Sequence, residues 1–313
     1  MHSGVIPFHG PVTQAPQPDW QGQLGQWSRL VGRCSRKPGR RRVHGLRVAT
    51  LRLETELEVW LRGRPDRDRA DHATRRWMRE AERLRKVLSP VRDADVFLQT
   101  LAGFGSSCPG ATVAMAPEGR DCLRGIARLK RRLERRRTAA GRKLLLALAA
   151  RGERMERAGR ELAQALAEPE TVAAPDWAAA LRTLTEELAA KAPHLTVATL
   201  HDFRKQAKAG RYLAEIAAPR DPLAKRQAEE CKDIQTVAGA WHDWQALAEE
   251  AARSGVPDAL VGLLVSMAER SLAETFVVCR RAARALSREG LAASTPVRPV
   301  QSAVPETEGQ RFA

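Results

Sequence analysis

Six side chains between His201 and Tyr212 carry the strongest chemical signal in this chain. Advancing about 100° per residue from His201 places Arg204, Lys205, Lys208, Arg211 and Tyr212 within one arc of roughly 120°. Phe203 and Leu213 fall on the opposite side, available to a core. A solvated helix face normally alternates signs at i±4, which relieves repulsion between like charges. This arc meets no carboxylate until Glu215. Arginine presents a planar fork that grips two phosphate oxygens, and lysine acts as a mobile point charge. A histidine beside phosphates is pushed towards its charged form, which adds pH sensitivity. The chemistry on offer is many charge-assisted contacts to a uniform polyanion.

An earlier stretch repeats the pattern less cleanly. Arg40, His44 and Arg47 share one face, with Arg41 and Arg52 at its edge. Val43, Leu46, Thr50, Leu53 and Leu57 form the opposite, core-facing stripe. Each histidine is followed at a similar interval by a second motif. Leu88-Ser89-Pro90-Val91-Arg92-Asp93-Ala94-Asp95 lies after His44, and Val237-Ala238-Gly239-Ala240-Trp241-His242-Asp243 lies after His201. The His-to-Asp intervals are 49 and 42 residues. Arg92 and His242 occupy equivalent places, so both are candidates for the same site. Two diverged copies of one helical unit, packed face to face, explain this spacing.

The charge is focal. The 313-residue chain has a formal charge of +16. Gln21 to Leu53 holds 9 basic residues and no acidic ones, and Gly119 to Arg160 holds 15 basic against 4 acidic. Together these stretches carry +20, leaving the remainder at −4. Such imbalance predicts a polyanion partner and leaves the fold open. The five cysteines are far apart with no C-x-x-C pair, which fits reduced thiols better than disulfides or a zinc site. No secretory signal is evident at Met1–Gly10. The longest apolar run, Leu144 to Ala150, is too short to cross a bilayer. A cytoplasmic protein without membrane attachment is expected.

Positioning these residues requires helices. Apolar residues recur at three- and four-residue spacing, and no run alternates as a strand does. Gly and Pro clusters at Gly63–Pro65, Ser89–Pro90, Gly103–Gly119, Pro169–Pro175, Ala192–Pro193, Pro219–Pro222 and Gly255–Pro257 are read as breaks. They predict helices near 21–35, 40–62, 67–88, 91–102, 119–140, 142–167, 176–190, 196–217, 222–236, 239–253 and 257–289. Residues 1–19 and 291–313 read as flexible tails, and the body divides into halves of about 20–168 and 176–290.

The doubled motif resembles the conserved histidine α-helical domain family, called CHAD. Its first-half signature runs roughly V-H-x-x-R-V-x-x-R-R-x-R, then L-G-x-x-R-D-x-D-V. Here the chain reads Val43-His44-Gly45-Leu46-Arg47-Val48-Ala49-Thr50-Leu51-Arg52-Leu53-Glu54, then Leu88 to Val96. The family's second half reads H-x-x-R-K-x-x-K-x-x-R-Y, matched by His201, Arg204, Lys205, Lys208, Arg211 and Tyr212, then L-G-x-x-x-D, matched by Gly239 and Asp243. The resemblance covers about residues 20–290. It implies an all-α fold of two pseudo-symmetric antiparallel four-helix halves around a basic central groove or pore. It also implies inorganic polyphosphate as ligand, no catalysis and no cofactor. Leu51 and Glu54 stand where the family has arginine, so the first-half face is expected to bind more weakly. The triphosphate-processing domain often found upstream in the family has no counterpart here, so a stand-alone member is expected.

The candidate polyphosphate-binding residues are His44, Arg47, Arg52, Lys86, Arg92, Arg128, Arg131, His201, Arg204, Lys205, Lys208, Arg211, Tyr212, Lys232 and His242. The expected setting is the cytoplasm, on polyphosphate granules or beside polyphosphate-metabolising enzymes, with nucleic acid bound only non-specifically. Two other function classes compete. His201-Asp202 and His242-Asp243 resemble the dyads of metal phosphohydrolases, which activate water on a divalent ion. The first-half counterpart is His44-Gly45, so the dyad is not repeated, and Asp202 points about 100° from His201. A nucleic-acid binder would use aromatic platforms, and this chain has one Tyr and six Phe. Asp93, Asp95 and Asp243 are read as helix caps or arginine partners before metal ligands. Trp241 and Trp244 are read as core fillers.

Overall fold

The computed structural model describes residues 18–62, 69–107, 117–167, 176–219 and 221–294. Among them, all regular structure is helical: α1 (Trp20–Arg36), α2 (Arg40–Arg62), α3 (Arg69–Ser107), α4 (Pro117–Ala167), α5 (Trp177–Lys191), a 3₁₀ turn (Ala192–His194), α6 (Val197–Ala217), α7 (Pro222–Ala252) and α8 (Asp258–Ser294). The breaks at Gly63–Pro65 and Pro169–Pro175 and nearly all of both expected tails lie outside the described residues. α8 runs four residues into the segment read as the second tail.

Local chemistry sets the starts. Asp19 caps α1 by accepting from the Gly22 amide at 2.8 Å, and Asp176 caps α5 by accepting from Ala179 at 2.8 Å. Both caps sit in the same tripeptide, Pro-Asp-Trp, which opens each half and escaped the reading of the sequence. The two tryptophans that follow, Trp20 and Trp177, meet with ring centroids 6.2 Å apart. Thr196 and Thr199 cap α6 reciprocally, and Asp221 with Pro222 opens α7.

The expected break at Ser89–Pro90 and two expected helix junctions, near Gly141 and Gly239, are absent, so eleven expected helices become eight among the described residues. Pro90 lies inside α3, exposed, while Leu84, Leu88, Val91 and Ala94 around it are fully buried. Proline there deletes one backbone hydrogen bond, and burial on the opposite face outweighs that loss. α4 is continuous for 51 residues because Leu133, Ala140, Leu144 and Leu148 carry one buried stripe through Gly141. Ile234, Ala238 and Trp241 do the same for α7 at Gly239. A single glycine costs a helix about 1 kcal/mol, too little to end one that is packed along its length.

Short connections turn the chain back on itself, and each half closes into a ring. In the first, α1 contacts α2, α2 contacts α3, α3 contacts α4, and α4 returns to α1. In the second, α5, α6, α7 and α8 repeat that order. The halves meet through matching helices: α2 with α6, α3 with α7, and α4 with α8.

Three apolar clusters hold this arrangement. One fills the first bundle around Trp27, Trp60 and Trp77 and continues into Trp177, Leu181, Leu213 and Ala214 of the second half. Trp27 packs edge-on to Trp77 at 5.4 Å and donates its indole N–H to Thr50 Oγ1 at 3.0 Å. Another cluster fills the second bundle, including Trp241. The third joins the far ends of both halves through Phe97, Leu101, Leu129, Leu133, Leu247 and Leu260, with Trp244 packed against it. Both tryptophans are therefore core, as read. Apolar contact seals the seam between the halves at two places, and polar side chains occupy the stretch between them.

Candidate functional site: cations gathered between the halves

α2, α3, α6 and α7 each turn one face to the seam. Val43, Leu46 and Leu53 anchor α2 by their burial, which directs His44 and Arg47 the other way. Leu200, Phe203 and Ala207 anchor α6 and direct Arg204, Lys208 and Arg211 at α2 and α7. Arg47 lies at the centre, since its charge acts on His44, Arg92, Asp93, Arg204, Lys208 and Tyr212. It also donates to Ser89 Oγ at 2.9 Å. Among the described residues, Arg47, Arg92, Arg204 and Lys208 form no ion pair with a carboxylate. All four are half-buried.

Crowding of like charge has electrostatic consequences. Burial, reinforced by Arg47, Arg204, Arg211 and Arg85, lowers the Lys208 ammonium to about 7. Burial, then Arg92 and Lys208, lowers His44 below the usual imidazole value. Burial, then Arg204, lowers His242, and burial, then Lys205, lowers His201. The three imidazoles therefore shift away from the charged form, the opposite of the direction expected beside phosphates. His201 and His242 stand with ring centroids 5.8 Å apart.

Two carboxylates temper the cluster without neutralising it. Asp243 on α7 lies near Arg204 and Arg92, and Asp93 on α3 lies near Arg47, Arg136 and His242. The partners are exchanged across the seam, Arg92 of α3 with Asp243 of α7 and His242 of α7 with Asp93 of α3. Desolvation raises both carboxyls above their ordinary value. Arg204 sits against the α7 backbone, its guanidinium 3.7–3.8 Å from where a Cβ on Gly239 would be. Its buried Nε has no hydrogen-bond partner among the described residues.

The candidate residues divide on this framework. His44, Arg47, Arg92, His201, Arg204, Lys208, Arg211, Tyr212 and His242 come together at the seam. Tyr212 is buried under the guanidiniums of Arg52 and Arg211 and the Lys208 ammonium, at 5.6–5.9 Å from its ring. Arg52 and Arg211 both hold Glu215, so part of their charge is already matched. Arg211 also donates to Gln235 at 3.2 Å.

The remainder do not join. Lys86 is exposed and pairs with Glu82 at 2.8 Å, one turn back on its own helix. Lys205 is exposed and pairs with Asp202 at 3.1 Å, because it lies at the edge of the arc nearest that carboxylate. Arg128 and Arg131 lie on the outer face of α4, since Leu129 and Leu133 claim the inner one. Lys232 is exposed one turn from Gln235, and no contact among the described residues ties it to the cluster.

Sequence reasoning missed Arg85 and counted Arg136 and Arg137 only within the basic stretch from Gly119 to Arg160. Arg85 reaches Glu54 at 2.8 Å, Arg136 reaches Glu250 at 2.8 Å, and Arg137 reaches Asp95 at 3.1 Å. A signal was present. Arg136 and Arg137 fill the gap in the stripe Leu129, Leu133, Ala140, Leu144, where helical spacing calls for an apolar residue.

A CHAD domain family model matches residues 20–252. The chain belongs to the CHAD domain family. The match spans α1 to α7 and so includes every seam residue named above, while α8, which closes the second ring, lies beyond it. No curated protein matches the chain. In this CHAD domain, no group of three or more His, Cys, Asp or Glu side chains among the described residues is arranged to hold a metal ion. Asp202 of the first dyad faces Lys205, and Asp243 of the second faces Arg204. None of the described helices is long and apolar enough to cross a membrane.

Proposed function

We propose that this CHAD domain is a non-catalytic binder of inorganic polyphosphate, held in a basic groove between its halves. One observation carries the reading: Arg47, Arg92, Arg204 and Lys208 converge from three helices without a carboxylate ion pair. Holding like charges together in a partly desolvated place is unfavourable. An anion with several phosphate oxygens relieves that repulsion at several points at once, and release of condensed counterions adds to the gain. A chain of identical phosphates suits a site that offers forks and point charges with no base-reading or stacking surface. The exchange of partners between α3 and α7, the Trp20–Trp177 contact and the pairing of like helices agree with two pseudo-symmetric halves facing one ligand. Such a module would tether its protein to polyphosphate granules in the cytoplasm or scaffold a polyphosphate-metabolising enzyme.

Calorimetric titration with polyphosphate at two salt concentrations, against duplex DNA of equal charge, tests this. Polyphosphate is expected to bind more tightly than DNA, with an affinity that falls as salt rises. Equal affinity for both would reassign the site to non-specific nucleic-acid binding. Phosphate release from polyphosphate during the same incubation would make the protein an enzyme.

A further inference from the structure

The outer face of α4 carries a dense row of exposed arginines. On other helices, several exposed cations pair within one helical turn, as Arg75 does with Asp71, Lys86 with Glu82 and Lys191 with Glu187. Between Arg120 and Lys143, α4 carries 11 basic residues and 2 acidic ones. Arg120, Arg124, Arg128, Arg131, Arg135 and Arg142 fall within an arc of about 80° and a rise of about 33 Å. All six are exposed. Arg124 pairs with Asp121. Among the described residues, Arg128, Arg131, Arg135 and Arg142 pair with no carboxylate. Like charges at i,i+3 and i,i+4 weaken a helix, and here the row persists on an exposed face.

We infer that this row is a second phosphate-binding surface, which takes an extended run of polyphosphate outside the seam. The inference extends the proposed function to a second place and rests on that reading for the identity of the ligand. Every member is arginine, whose fork suits pairs of phosphate oxygens. The row is straight and one side chain wide, as a linear chain requires. A nucleic-acid duplex fits less well, because its phosphates wind around an axis on strands separated by grooves about 12 and 6 Å wide. A straight row meets each strand only where it crosses. Each exposed contact is weak alone, so the surface holds long chains and passes over short ones. Two sites on one protein let it bridge separate polyphosphate molecules.

The test is the triple variant Arg128→Glu/Arg131→Glu/Arg135→Glu, with Arg128→Gln/Arg131→Gln/Arg135→Gln as the neutral version should the first fold poorly. Affinity for a short polyphosphate that spans only the seam is expected to stay within about twofold. With long-chain polyphosphate, the log–log salt slope should fall by about two. Light scattering from cross-linked chains should fall at least about fivefold. Unchanged slope and scattering overturn the inference. Loss of duplex-DNA binding with polyphosphate binding intact overturns it as well, and makes the row a nucleic-acid surface. The seam variant Arg204→Glu/Lys208→Glu reports separately on the proposed function. If it retains short-chain binding, the seam reading fails, and the row is judged on the long-chain slope alone.

Discussion

The two histidine-bearing helices, α2 and α6, look alike in sequence and differ in how much of their charge is free. On α2, Glu54 and Glu56 are buried among the arginines. Arg85 holds Glu54, and Arg52 lies between Glu56 at 3.7 Å and Glu215. Arg47 of that helix reaches the seam without an ion pair among the described residues. On α6 the carboxylates stand at the two ends, Asp202 and Glu215, and Arg204 and Lys208 between them have no ion pair among the described residues. The pairing on α2 supplies a physical basis on which the expectation of a weaker first-half face, drawn from Leu51 and Glu54, can be tested. Glu54 diverts Arg85, and its own helix supplies no cation in its place. Under the proposed function, what counts for binding is the charge left over after pairing.

The largest test of that contrast is Arg204→Glu/Lys208→Glu. Removing two half-buried cations and adding two anions is expected to lower polyphosphate affinity by at least about a hundredfold, with helical content by circular dichroism intact. Affinity that survives would move the site away from α6.

Next comes pH. Lys208 lies at about 7 in the free protein, against about 10.4 for an ordinary lysine. Above pH 7 it is largely neutral until a bound polyanion recharges it, so binding takes up a proton and weakens as pH rises. His44, His201 and His242 act in the same direction at lower pH. Affinity should fall about tenfold between pH 6 and pH 9. Proton uptake, read from calorimetry in buffers of different ionisation enthalpy, should disappear in Lys208→Met. For stability the sign is also fixed. The unfolded chain binds this proton more tightly than the folded one, so the lysine is most destabilising below pH 7 and is relieved as pH rises towards 10.4. Lys208→Met should therefore raise the melting temperature most at low pH, and a pH-independent difference would refute the assignment.

A smaller effect sharpens the comparison from the other side. Glu215→Gln releases Arg52 and Arg211 together and is expected to raise polyphosphate affinity about threefold. A loss of affinity would mean that Glu215 positions those arginines for the ligand. Smallest of all, Lys86→Ala should change affinity by less than about twofold, because an exposed cation already paired on its own helix contributes little. A tenfold loss there would extend the site along α3.

Much of the fold was legible. The 3.6-residue periodicity located every described helix, because burial of one face per helix is what drives these segments together. Where the reading failed, it gave local breakers too much weight. Pro90, Gly141 and Gly239 sit in helices whose buried stripes run past them, and tertiary packing outweighs the cost of one residue. At the site, the arc on α6 was readable because its spacing and its missing counter-charges are properties of one helix. Arg128 and Arg131 lie outside the seam, a placement the sequence could not give because net charge in a stretch says nothing about which face is outward. Arg136 and Arg137, at an apolar gap in the stripe, carried the better signal.

The sequence alone determined that the chain is helical, that its basicity is focal, and that a histidine motif occurs twice. Each of those properties depends on residues within a few turns of one another. Tertiary structure decided which cations remain unpaired. Arg85 meets Glu54 across 31 positions, Arg136 meets Glu250 across 114, and Arg52 meets Glu215 across 163. Coulomb interaction falls with distance through space, and spacing along the chain does not report that distance.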